Sequence, residues 1–121
     1  MILAALITYL LGLDLGVGVY SEAPSDKSPN EYNEYYYVLE QTGSSTTNQI
    51  VTTTIAIQSY APSLLEAMVI SKDLEKCMET FAETSNYVAR VELVTDYNFT
   101  NTATKQYRWQ AVYNITHYKF D

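Results

Sequence analysis

The side chains best suited to proton transfer or nucleophilic attack near neutral pH are the single histidine and the single cysteine, His117 and Cys77. A histidine acts as a base when a neighbouring carboxylate fixes its tautomer, and a thiol attacks as the thiolate. His117 stands between Thr116 and Tyr118 at the end of a strand-like run, with no carboxylate at a spacing that would orient it. It reads as a surface or rim histidine. Cys77 lies beside Met78 on the core-facing side of a helical pattern, where free cysteine is usually a small hydrophobe. No phosphate-cradling glycine loop, metal-ligand cluster or nucleophile–base pair occurs in the sequence. The chain is therefore expected to be no enzyme and to use neither cofactor nor metal.

What the sequence offers in place of chemistry is surface. From Asp96 to Tyr118 it is dominated by Thr, Tyr, Asn and Gln with one Trp. Such β-branched and aromatic residues favour strands. Tyr and Trp also bury large apolar area with little loss of rotamer freedom, which suits protein contacts. The interface candidates are Tyr97, Phe99, Thr100, Lys105, Tyr107 and Trp109, around the polar turn Asn98 to Gln106. For Trp109 a place in the sheet core competes with this reading. The polar segment Glu22 to Glu34 is a second contact candidate. The run Tyr35-Tyr36-Tyr37, flanked by Glu31, Glu34 and Glu40, reads first as one strand with aromatics on both faces and second as a binding patch.

At 121 residues the chain has the length of one domain, 1–121, able to hold a core without staples. Fourteen acidic against seven basic residues give a net charge of -7, and the basic residues never form a run. Such a chain repels a phosphate backbone, which argues against direct nucleic-acid binding. A lone cysteine suits a reducing compartment. Met1 to Leu13 is apolar, yet too short to span a bilayer, and it has no basic residue before the apolar run while Asp14 interrupts it. It reads as a docked amphipathic helix with Leu3, Leu6, Ile7, Leu10 and Leu13 on one stripe. The alternative is a signal peptide cleaved after Ala23. The sequons Asn98-Phe-Thr100 and Asn114-Ile-Thr116 would accompany it in a secreted glycoprotein or binding module, but without a credible signal they read as chance.

These side chains must be held by a small set of elements. Gly12, Gly16 and Gly18 end the first helix, and Val17 to Tyr20 reads as a short strand. Strand-like runs follow at Tyr35 to Gln41 and Gln49 to Gln58, joined by a predicted turn Thr42 to Asn48. In the second run Val51, Thr53, Ile55 and Ile57 share one face, and Thr52, Thr54 and Ala56 the other, so one side of the sheet should be wetter. Pro62 and the capping box Ser63-Leu-Leu-Glu66 start a helix that ends near Ser85-Asn86. Its predicted core face is Leu64, Met68, Ser71, Leu74, Met78 and Phe81, leaving Lys72, Asp73, Glu75, Lys76 and Glu79 for water. Two longer strands, Tyr87 to Phe99 and Tyr107 to Lys119, complete an α+β domain: an N-terminal helix and a mixed or antiparallel sheet of about five strands, with a central helix packed on one face.

Several phrases then carry a resemblance. Leu3-Ala-Ala-Leu-Ile-Thr-Tyr-Leu10, Gly18-Val-Tyr-Ser-Glu-Ala-Pro24, Val38-Leu-Glu-Gln-Thr-Gly43, Ile57-Gln-Ser-Tyr-Ala-Pro-Ser63 and the ending Asp96-Tyr-Asn-Phe-Thr100 to Tyr107-Arg-Trp-Gln-Ala-Val-Tyr113 are similar to phage tail-terminator or tail-completion proteins. The relatives are those of tailed phages and prophages of Gram-positive bacteria. The likeness covers nearly the whole chain, and its phrases are those of a structural protein. Where the family often has Asp in the turn, this chain has Asn101. The resemblance implies a homo-oligomeric ring, commonly a hexamer, that sits on the tail tube, stops its polymerisation and docks the head completion or connector protein at the head-tail junction. DNA would pass through the ring without specific binding, no membrane would be involved, and assembly would occur in the bacterial cytoplasm. A neighbouring head-tail connector or minor capsid protein would share part of this character.

Overall fold

The computed structural model describes residues 2–13, 16–21, 35–84, 86, 88–100 and 107–118. Along them run α1 (Ile2–Gly12), β1 (Gly18–Tyr20), β2 (Tyr36–Thr47), β3 (Ile50–Ala61), α2 (Leu64–Thr84), β4 (Val88–Asn98) and β5 (Tyr107–Tyr118). The strands form one mixed sheet in the order β1-β2-β3-β5-β4, with β1 parallel to β2 and the remaining pairs antiparallel. Both helices contribute to the core cluster on one face, which gives the expected α+β architecture.

Period-two alternation sorts the side chains between the faces. Thr53, Ile55, Ile57, Ser59 and Ala61 of β3 pair with Ile115, Tyr113, Ala111, Trp109 and Tyr107 of β5, and these sets point to the helices. Tyr37 and Leu39 of β2 and Val19 of β1 extend that face. Onto it α1 buries Ile2, Leu6 and Leu10. Fully burying a side chain of this kind contributes roughly 1.5–3 kcal/mol, so α1 is a working part of the core. Leu13, placed on the same stripe by its spacing, is instead 39% exposed, because the helix has ended at Gly12.

α2 begins at the capping box, though its reciprocity differs from the usual one. The Ser63 hydroxyl accepts the Glu66 N–H at 3.3 Å and donates to the Glu66 carboxylate at 2.9 Å. The other carboxylate oxygen accepts the Tyr35 hydroxyl at 2.7 Å, tying the approach to β2 to the helix start and holding the Tyr35 phenol above its ordinary value. The buried face is Ala67, Ile70, Ser71, Leu74, Met78 and Phe81. Leu64 and Met68, expected in the core, are only half-buried and exposed respectively. The first two turns meet the sheet through Ala67 and Ile70, because the Tyr37 hydroxyl donates to the Ile70 carbonyl at 2.6 Å and sets the helix rotation there.

The second correction concerns the hairpin. Thr42 to Thr47 is not a turn: β2 continues through it with a bulge at Gln41/Gly43, and the chain reverses at Asn48-Gln49. Both turn residues have positive φ, 51° and 73°, the conformation of a two-residue type I′ connection whose twist matches the strands. Ser and Thr misled the reading because they are turn residues by composition, yet Thr is also a good strand former. β4 carries two further bulges, Val88/Arg90 and Leu93/Thr95, so bulges mark both outer regions of the sheet and twist them away from ready edge pairing.

Candidate functional site

The face of the sheet that carries neither helix is built as two side-chain rows running across the strands. One row is Tyr36, Tyr60, Arg108 and Phe99, set by the pairs Tyr36↔Tyr60 and Tyr60↔Arg108 and by the Phe99 N–H donating to the Arg108 carbonyl at 3.0 Å. The other is Val38, Gln58, Gln110 and Tyr97. Tyr36 and Tyr60 stack with centroids 4.5 Å apart and 11° between planes, and Tyr20 from β1 meets Tyr36 edge-on at 5.8 Å. Tyr36, Val38 and Tyr60 form a second, smaller core cluster.

Arg108 is the only cation in these rows. Its guanidinium lies 4.4 Å from the Phe99 ring centroid and 5.9 Å from that of Tyr60. It donates through Nε to the Phe99 carbonyl and through Nη1 to the Tyr60 hydroxyl at 3.1 Å. Cation–π contact and a fixed fork suit arginine and not lysine. No carboxylate pairs with it among the described residues. The network continues sideways: Tyr60 donates to Gln58 at 2.9 Å, Gln58 to Gln110 at 3.0 Å, and Gln110 to the Tyr97 hydroxyl. Linked in this way the polar groups are satisfied in one orientation, and the middle of the rows is closed: Tyr36, Val38, Tyr60 and Gln110 are all buried. Tyr20, Tyr97 and Phe99 remain 40%, 40% and 38% exposed at the ends of the rows.

Gly18 sits under this surface for a steric reason. A Cβ at that position would lie 2.8 Å from Cε2 of Tyr20, whose ring folds back over the glycine.

The predicted interface residues divide between the two faces. Tyr97 and Phe99 belong to the helix-free surface and touch edge-on at 6.0 Å. Thr100 is half-buried and anchors the strand end, donating from both its N–H and its hydroxyl to the Asn98 side-chain carbonyl at 3.0 and 2.6 Å. Lys105, with the rest of 101–106 and the segment Glu22 to Glu34, lies outside the described residues. Tyr107 and Trp109 point to the helix side. Trp109 is half-buried, packs against the main core, and donates its indole N–H to Asp96 at 3.0 Å. Tyr60, Arg108, Gln58 and Gln110 were not among the candidates, and Tyr36 was one only as part of the Tyr35 to Tyr37 run. Their signal is the alternation Gln58-Ser59-Tyr60 and Arg108-Trp109-Gln110, once β3 is carried on to Ala61.

His117 is not at the rim: it is 4% exposed on the helix side. Its Nδ1 lies 2.8 Å from the Tyr118 carbonyl, which can only accept, so Nδ1 donates there, and Nε2 lies 2.8 Å from the Thr53 hydroxyl. Both ring nitrogens are occupied by structural bonds. Cys77 is half-buried at the α1–α2 seam, in an open groove of about 260 Å³ shared with Tyr9, Leu13, Lys76 and Thr80. Burial, and next the Asp73 carboxylate, push its thiol up, away from the thiolate form. No group of three or more metal-ligating side chains stands together among the described residues, and no described helix is long and apolar enough to cross a membrane. In the sequons, Asn98 is engaged by Thr100, and Asn114 accepts the Thr54 hydroxyl at 2.7 Å.

No protein-family model and no curated protein matches the chain.

Proposed function

We propose that this is a structural virion protein that forms a ring on the end of a phage tail tube, ends tube polymerisation and offers a docking surface to the head connector. The observation that carries the contact function is the helix-free face, where an aromatic, guanidinium and amide network is preset in one arrangement. Tyr and Arg are the residue types that dominate binding energy at protein interfaces. The tail-end assignment rests on the family resemblance of the phrases from Leu3 to Tyr113.

Binding and geometry are the whole mechanism in this reading. Neighbouring copies meet through unlike surfaces and close into a ring when the rotation between them permits it. The ring's outer face then fails to match an incoming tube subunit. Acidic charge, multiplied around the ring, keeps passing DNA from adhering.

The test is a phage or prophage lacking this chain. Over-long or ragged tails that fail to join heads are expected. Tails of normal length with heads unjoined would move the protein to the connector class. Tails of normal length joined normally would sink the reading. Intact-mass analysis separates the secreted alternative, which requires loss of the residues up to Ala23 and with them α1 and β1.

A further inference from the structure

β4 is the last strand on its side of the sheet. One of its edges pairs with β5, and among the described residues nothing bonds to the backbone of the other. Such an edge presents N–H and C=O groups that a further strand can take up. The bulges at Val88/Arg90 and Leu93/Thr95 turn the two ends of β4 away, but between them Arg90, Val91, Glu92 and Leu93 run in step with Thr116, Ile115, Asn114 and Tyr113 of β5. One regular window of the edge is left. On its helix-free side stand Arg90 and Glu92, both exposed and paired with each other, over β5 neighbours that carry no charge. On its helix side Val91 and Leu93 are half-buried at the rim of the main core. The remaining charge of β4, Asp96, lies beyond the second bulge and is held by the Trp109 indole and by Lys72 at 3.8 Å.

We infer that this edge is a two-fold contact, in which β4 of a second copy adds antiparallel, centred on Val91, and the two sheets become continuous. The charge pattern of the window selects a copy of the same chain. About Val91, Arg90 stands opposite Glu92 and Glu92 opposite Arg90, while Val91 meets Val91 on the helix side. Residues directly opposite each other point to the same face, so a two-fold antiparallel pair must be centred on a residue. Centred on Arg90 it sets two guanidinium groups against each other, and centred on Glu92 two carboxylates. Like charges directly opposite are destabilising. Of these three registers only the one at Val91 is complementary, and it matches both faces of the seam at once. The pair Arg90–Glu92 within one strand is an exposed contact worth little by itself. Across the seam each guanidinium gains a second carboxylate, and four charges alternate in sign around a square shared by two molecules. The contact joins like surfaces and stops at two copies, so it is distinct from the unlike-surface ring contact of the proposed function and does not rest on it.

A window this short makes a weak dimer, and sedimentation velocity of the full chain up to millimolar concentration at low salt tests it. Wild type should dimerise. Arg90→Glu places four carboxylates at the seam and Glu92→Arg four guanidinium groups, and each should weaken dimerisation by about 10-fold or more. Both positions are exposed, and circular dichroism with Tm checks that the variants are folded. The deciding step is mixing. Together the two single variants set acid against base at both pairs and should give a one-to-one heterodimer tighter than either homodimer, and the double swap Arg90→Glu/Glu92→Arg should dimerise like wild type. A wild type that stays monomeric at millimolar concentration, a dimer indifferent to either single change, or a mixture no more associated than its components overturns the contact. Losses in both single variants that the double swap does not restore would show another register, which also overturns it. The outcome is separate from that of the phage test: heterodimers from a chain absent from virions would keep the edge contact and end the tail reading, and a failed mixture of a chain found at tail ends would do the reverse.

Discussion

The two faces of the sheet are made by the same strands and differ in what holds them. On the helix side, Leu39, Ile55, Ile57, Leu74, Met78 and Ile115 are fully buried, and non-directional burial is the main force. On the other side, stacking, a cation–π contact and a chain of side-chain hydrogen bonds join buried Tyr36, Tyr60 and Gln110 to half-buried Arg108 and Gln58. β5 serves both at once, sending Trp109, Ala111, Tyr113 and Ile115 one way and Arg108 and Gln110 the other. One face holds the main core and the other, in the proposed function, is the one touched at its exposed ends, so truncations on the two should be felt in different measurements.

The largest effect is expected on the helix side. Leu74→Ala should cost about 2–5 kcal/mol in chemical denaturation; a cost under about 1 kcal/mol would erase the distinction between the faces. Alkali probes the same face. Burial, ahead of nearby acidic groups, raises the Tyr37 and Tyr113 phenols well above their ordinary value of 10.0. The unfolded chain ionises them first, so their contribution is fully present below pH 10 and is lost as pH rises above it. Tm should fall between pH 9.5 and 11.5, roughly the range of free tyrosine ionisation, and the fall should shrink in Tyr113→Phe. A smaller change of opposite sign is expected at Ser59, whose fully buried hydroxyl has no hydrogen-bond partner among the described residues. Ser59→Ala removes an unsatisfied group and should stabilise by up to about 1 kcal/mol in the same denaturation experiment. On the helix-free face Tyr97→Ala leaves the buried Gln110 amide without its acceptor and should cost about 1 kcal/mol while weakening association in the proposed ring. Equal losses in both would show that this face serves stability after all.

Periodicity carried most of this architecture. The alternation in β3 and β5 and the apolar spacing of α1 placed the sheet, both helices and the wetter side. The capping box at Ser63 marked the start of α2. What local pattern could not carry was register. Whether Tyr60 meets Arg108, and whether Trp109 faces helix or partner, depends on the pairing of strands some fifty residues apart, and a one-residue slip exchanges the two faces. For the same reason the candidates divide by strand, Tyr97 and Phe99 to one face and Tyr107 and Trp109 to the other, because the β4–β5 register sets Tyr97 opposite Gln110 and Asn98 opposite Trp109. His117 looked peripheral because it closes its strand, but Thr53 and the Tyr118 carbonyl, which occupy its two nitrogens, are visible only once β3 lies beside β5.

Gly18 extends the comparison to how the chain can vary. Because the Tyr20 ring occupies the space a Cβ at position 18 would need, the two positions are a single unit of change. An alanine at 18 displaces the ring and disturbs the tyrosine row at its β1 end; a small residue at 20 removes the conflict. In a library that randomises both sites, tolerated sequences should therefore pair bulk at one with its absence at the other, a covariation set by a contact within three residues of chain.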